Sequence, residues 1–153
     1  MDWHHYRFRS RWQLPAPPAR VYDVLEQAEH YPRWWPQVRE AVPLDDRSCT
    51  ARFRSFLPYD LVVTVSSSRR DPEAGVLEAR LEGDLVGWAR WILAPGVDGG
   101  TRLRYDQEVV VNRPLMRRLA LIGRPAFRVN HAAMMRAGRR GLTAYLARDA
   151  EGV

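Results

Sequence analysis

The chain has 153 residues and a mass of 17.7 kDa, with 24 basic side chains, all of them arginine, against 18 acidic ones. A composition of 46% hydrophobic and 27% charged residues excludes wholesale disorder, and one domain spanning residues 1–153 is expected. The single cysteine, Cys49, excludes an internal disulfide and any multi-cysteine zinc or iron–sulfur site. The first residues carry no apolar h-region, and no apolar run approaches the ~20 residues of a membrane span. A soluble cytoplasmic protein is the expectation.

In chain order, residues 3–14 alternate as a strand does. His4, Tyr6, Phe8, Ser10, Trp12 and Leu14 share one side, and Trp3, His5, Arg7, Arg9 and Arg11 face solvent. Pro15 to Pro18 break the strand and suit a helix's first turn. Val21, Val24, Leu25 and Ala28 then recur at helical spacing, which predicts a short amphipathic helix ending near His30, closed by an aromatic turn at Trp34-Trp35-Pro36. Strands are predicted over 38–44, 49–55, 59–69, 75–83, 85–94 and 101–112, with breaks at Asp45-Asp46, Leu57-Pro58, Asp71-Pro72 and Pro95-Gly96. In the last of them Leu103, Tyr105, Gln107 and Val109 alternate with Arg102, Arg104, Asp106 and Glu108, one face buried and one wet. The outward acids Asp106, Glu108, Glu82 and Asp84 are expected to pair with Arg102, Arg104, Arg80 and Arg90 as surface charges. A helix starting near Pro114 and ending at Gly123 is expected, followed by a second restarting at Pro125. Phe127, His131, Met134, Gly138, Leu142 and Tyr145 fall on one face of that second helix.

This order carries three recognisable stretches: Leu14-Pro15-Ala16-Pro17 through Trp34-Trp35-Pro36, LEGDLVGWARWIL followed by GTRLRYDQEV, and NHAAMMRAGRRGL. Together they resemble the START-like (SRPBCC) superfamily, and more narrowly its bacterial polyketide cyclase/dehydrase and lipid-transport group. The resemblance covers nearly the whole chain. It implies an α+β helix-grip fold, in which a curved antiparallel sheet of about seven strands wraps around a long C-terminal helix and leaves a deep apolar cavity. Members of the group bind lipids, polyketides, quinones or hormones, and some cyclise or aromatise polyketide chains.

The residues themselves also point to a cavity. Ala79, Leu81, Gly83, Leu85, Gly87, Ala89, Trp91 and Leu93 share the inward phase of their strands. Gly83, Gly87 and Ala89, facing Gly138 on the helix, leave room for a ligand; alternatively, Gly83 and Gly87 only bend the sheet. His131, between Phe127 and Met134, can serve as acid or base or orient a ligand carbonyl. It can equally be a buried neutral histidine satisfied by a backbone carbonyl or by Asn130. Tyr105, the other candidate catalytic group, and Gln107 can hydrogen-bond a polar group of the ligand. Tyr6, Ser10 and Trp12, and Phe53 with Ser55, complete the candidate lining. Cys49 is expected inward with Ala51 and Phe53, as a small hydrophobe. No HExxH, CxxC, GxSxG, P-loop or GxGxxG occurs, so no metal or cofactor is expected.

Charge is distributed unevenly. Residues 1–112 hold 15 arginines and 16 acids, whereas residues 113–148 hold nine arginines and no acid. Arg117, Arg118 and Arg124 flank Leu115, Met116, Leu119 and Ile122 in a basic amphipathic pattern. That pattern suits an anionic membrane surface, an acidic carrier protein, or a merely solvated face. The segment lacks the aromatic-interleaved groove of single-strand binders, which argues against nucleic acid. The expected function is binding or carriage of a hydrophobic small molecule: a lipid, a quinone or a polyketide-like aromatic. The alternatives are a cofactor-free polyketide cyclase, aromatase or dehydratase using His131 or Tyr105, and an interaction module acting through the basic C-terminal face.

Overall fold

The computed structural model describes residues 5–54, 60–112 and 123–151. Strand β1 (His5–Leu14) is followed by helix α1 (Pro18–Glu26) and a 3-10 turn (Ala28–Arg33). Six strands come next: β2 (Val38–Pro43), β3 (Ser48–Phe53), β4 (Leu61–Asp71), β5 (Val76–Gly83), β6 (Leu85–Pro95) and β7 (Thr101–Val111). Helix α2 (Gly123–Glu151) is the last described element. The strands form one antiparallel sheet in the order β1-β7-β6-β5-β4-β3-β2, so α1 and the 3-10 turn connect its two edge strands. This is the helix-grip architecture. No described helix is long and apolar enough to cross a membrane.

The strands follow the predicted ones to within two residues at each end, because period-2 alternation and proline or glycine breaks are strong local signals. On β1, Tyr6, Trp12 and Leu14 are buried, while Arg7, Arg9 and Arg11 are exposed. The helices required two corrections. Helix α1 ends at Glu26, not near His30, because Gln27 leaves helical geometry (φ −94°, ψ 77°). The chain then runs as a 3-10 turn through Pro32. The described part of α2 begins at Gly123, two residues before the start expected at Pro125. The helix expected over residues 114–122 lies outside the described residues.

The buried stripe of α2 is wider than the predicted face and includes Asn130, Met135 and Leu146 beside Phe127, Gly138 and Leu142. The reason is that α2 touches both the sheet and the Trp34–Trp35 turn. Trp35 Nε1 donates to the Met134 carbonyl at 2.8 Å. A Cβ at Gly138 would stand 2.6 Å from the Trp35 ring, and one at Gly141 would run into the Trp34 carbonyl. Two glycines one turn apart thus let the helix lie directly on the paired indoles, whose rings stack 5.3 Å apart.

On the outer face Asp106 pairs with Arg104, within the expected set, while the other acids described take different partners. Asp106 is only 7% exposed, closed over by Arg9 (2.9 Å) across the strands and by Arg104 (3.1 Å) along its own. Glu108 meets His5 and Arg7, and Arg90 meets Glu78. Asp84 accepts the Val62 backbone N–H at 2.8 Å. Arginine reaches along its own strand as well as across to the next, so alternation alone does not settle its partner.

Candidate functional site

Two groups of buried apolar residues lie on the inner side of the sheet. One gathers Trp12, Trp34, Trp35, Trp91 and Leu142. The other gathers Tyr6, Leu81, Val109 and Phe127. Phe53 packs against both. Between them lies a cavity of about 290 Å³, bounded by the sheet, the 3-10 turn and α2. Protein interiors are otherwise close-packed, so a void of this size marks a place where the chain leaves its own core incomplete.

The room comes from alanines. Ala79 and Ala89 are direct cross-strand neighbours on β5 and β6, and both line the cavity together with Ala51 on β3. The glycines anticipated for this role stand off the wall. A Cβ at Gly83, whose φ is +110°, would lie 2.8 Å from the Val62 carbonyl, and one at Gly87 would run into the Glu108 carbonyl. Both serve close backbone approach and bending of the sheet. Gly138 is filled by the Trp35 indole. Tyr6 and Trp12 also lie behind the lining: Tyr6 packs on Phe127 at 4.5 Å and Trp12 on Trp91 at 5.3 Å.

The remaining anticipated residues, Phe53, Trp91, Tyr105, Gln107, Phe127, His131 and Met134, come together on the cavity wall. They form a polar station inside an apolar shell. Tyr105 donates its hydroxyl to Gln107 Oε1 at 2.6 Å, and His131 Nε2 lies 3.1 Å from the same oxygen. The imidazole stacks on Phe8, ring centres 3.6 Å apart and planes 10° from parallel. Burial, and secondarily the nearby Arg128 guanidinium, pushes the His131 pKa down to about 4. The ring is therefore neutral at pH 7, with Nε2–H donating to Gln107. Burial raises the Tyr105 phenol well above its ordinary range, so it stays protonated.

Because the unfolded chain holds the His131 proton more readily than the folded one, this residue's stabilisation is complete above pH 6.5. It is lost as pH falls toward 4. Denaturant titrations at pH 7, 6, 5 and 4 should show His131→Gln losing less stability than the parent over this interval, by about 2–3 kcal/mol. Parallel curves would mean that the imidazole is not buried neutral.

Sequence reasoning missed Tyr31, Trp35, Asn130 and Met135 as lining residues; Cys49, Ala51 and Ala79 were expected only as inward positions, and Ala89 as a residue that leaves room. Tyr31 lies on the 3-10 turn, donates to the Leu25 carbonyl at 2.6 Å and accepts from Trp91 Nε1 at 3.1 Å. The available signal was Pro32, which disfavours α geometry at the residue before it. The charged end of the cavity is made by Glu26, Glu29, Asp45, Asp46, Arg47 and Arg70. Arg70 spans it, donating to Ser67 Oγ at 3.1 Å and to the Asp46 carbonyl at 3.2 Å, with Glu26 4.0 Å away. From residue 113 onward the cavity is lined by Phe127, Asn130, His131, Met134 and Met135 of α2, and among the described residues by no arginine of that segment. Ser55, Arg117, Arg118 and the Arg124 side chain lie outside the described residues. No group of His, Cys, Asp or Glu among the described residues is placed to hold a metal ion.

The family described as Polyketide cyclase / dehydrase and lipid transport matches residues 14–137. Solved structures share the fold at low identity. A START superfamily protein from Mycobacterium smegmatis superposes with a TM-score of 0.75 at 14% identity, over 93% of this chain and 97% of that one. The Zhui aromatase/cyclase from Streptomyces gives 0.71 at 14% identity, over 95% of each chain. A protein from Thermus thermophilus gives 0.68 at 18% identity, over 92% of this chain and 99% of that one. No curated protein gives a significant match.

Proposed function

Since the chain belongs to the Polyketide cyclase / dehydrase and lipid transport family, we propose that it binds and carries a hydrophobic small molecule in the cavity between the sheet and α2. The ligand class is a lipid, a quinone or a polyketide-like aromatic. The observation that carries this reading is the cavity itself: about 290 Å³ of space lined largely by aliphatic and aromatic side chains and dividing the core in two. An apolar molecule entering it buries its own surface and completes the packing of both clusters, at roughly 25 cal/mol per Å² removed from water.

Carriage is favoured over acid–base catalysis by the surroundings of the polar station. Tyr105 and His131 both donate to Gln107, and burial pushes the phenol's pKa up and the imidazole's down. Both move away from the neutral range in which a general acid or base works best. The second reading, a cofactor-free cyclase or aromatase, draws on the fold shared with the Streptomyces aromatase/cyclase. Such an enzyme would work mainly by holding a flexible chain in one reactive geometry.

Cys49 supplies the test, because it is the chain's only cysteine and lines the cavity. Native mass spectrometry of gently purified protein should show a retained apolar molecule. Stripping that molecule should speed alkylation of Cys49 by N-ethylmaleimide at least tenfold, and adding it back should restore protection. Absence of any retained molecule, with a Cys49 rate indifferent to added hydrophobic compounds, would sink the carrier reading. Chemical change of the bound molecule on standing would favour the cyclase.

A further inference from the structure

Gln107 is 93% removed from solvent, and its side chain is used asymmetrically. The oxygen accepts two hydrogen bonds, from Tyr105 at 2.6 Å and His131 at 3.1 Å, which fills both of its lone-pair directions. The amide nitrogen carries two N–H donors and has no acceptor among the described residues. It is not sealed in the packing either, since the buried polar atoms left without a partner belong to other residues. With the oxygen held against Tyr105 and His131, the nitrogen is turned to the cavity that Gln107 lines. An unmet amide donor pair in an apolar enclosure costs about 1–3 kcal/mol and is a feature the fold would not keep for packing.

We infer that the Gln107 amide N–H pair is the specificity element of the cavity, demanding an uncharged acceptor oxygen such as a ketone, ester or quinone carbonyl on an otherwise apolar ligand. Tyr105 and His131 are positioning residues: by donating to Oε1 they fix which end of the amide meets the ligand. Two features select a neutral acceptor over a carboxylate. His131 is uncharged, and the lining arginines, Arg47 and Arg70, sit with the acids at the charged end of the cavity. A buried carboxylate without a cationic partner is strongly disfavoured. A ligand lacking the oxygen would leave the amide unmet, the situation in which sites reject analogues most sharply. This inference rests on the carrier reading and goes further, by excluding plain hydrocarbon chains and free acids as preferred ligands.

The test uses two probes of matched shape, 2-acetylnaphthalene and 2-ethylnaphthalene, with binding read from the fluorescence of the cavity-lining tryptophans. The unaltered protein should bind the ketone about ten- to a hundredfold more tightly than the hydrocarbon. Gln107→Leu should collapse that ratio to near unity while keeping the hydrocarbon's affinity. Gln107→Met keeps the side chain's length but removes the N–H donors without adding a charge, so it too should lose the ketone preference. If it lost affinity for both probes equally, the role of Gln107 would be structural and the inference wrong. Equal binding of both probes by the unaltered protein would overturn the inference and leave the carrier reading standing. No binding of either probe would bring both down.

Discussion

Trp35→Ala should destabilise the protein by about 3–5 kcal/mol and lower its Tm by about 10 °C, the largest loss expected from any single side chain on the inner face. Trp35 is 4% exposed and touches four other aromatic rings, with centroids 5.3 Å away at Trp34, 6.1 Å at Tyr31, 6.2 Å at Trp12 and 6.3 Å at Trp91. Its indole N–H satisfies the Met134 carbonyl, and its ring occupies the notch left by Gly138. Truncation therefore removes aromatic area, leaves a void under α2 and unmakes the contact that fixes where the helix rests. Gly138→Leu attacks the same notch from the other side and should destabilise by about 1–3 kcal/mol through overpacking. Thermal melts followed by near-ultraviolet circular dichroism measure both. A loss below about 1 kcal/mol for Trp35→Ala would mean that α2 is held elsewhere.

This contact also shows where sequence reading reaches its limit. Alternation placed Tyr105, Gln107 and Trp91 on the inner face, because a strand's period of two ties facing directly to position. The helical period likewise put Phe127, His131 and Met134 together on α2, so the polar station was legible before any coordinates. What alternation does not carry is which inward residues meet. Ala79 opposes Ala89, and Ala51 opposes Val63, only through the pairing register, and it is these meetings of small residues that open the cavity. The glycines misled for a related reason. A missing side chain reads the same in sequence whether it makes way for a ligand, for the Glu108 carbonyl beside Gly87, or for the Trp35 ring at Gly138. Tyr31 escaped because a 3-10 turn is too short to display a face.

Ala89→Phe should abolish ligand binding, with a loss of affinity of at least about a hundredfold, while changing stability by no more than about 1.5 kcal/mol in either direction. Ala89 lies at the centre of the inner face, paired with Ala79 on β5 and with Gln107 on β7. A benzyl group there projects into existing space. The overpacking that usually accompanies an enlarged core residue is therefore offset by new apolar burial, worth about 1.5–3 kcal/mol for a phenylalanine. The same ring takes the volume the ligand needs and covers the Gln107 amide. It should thus remove the ketone and the hydrocarbon probe together, whereas Gln107→Leu removes only the preference between them. Val86→Phe is the control: it lies on the same strand but is 48% exposed on the outer face, and it should bind both probes as the unaltered protein does. Calorimetric titration of the three variants separates the possibilities. If Ala89→Phe still bound both probes with unchanged affinity, the ligand would lie outside this cavity, and the assignment of Gln107 would fall with it.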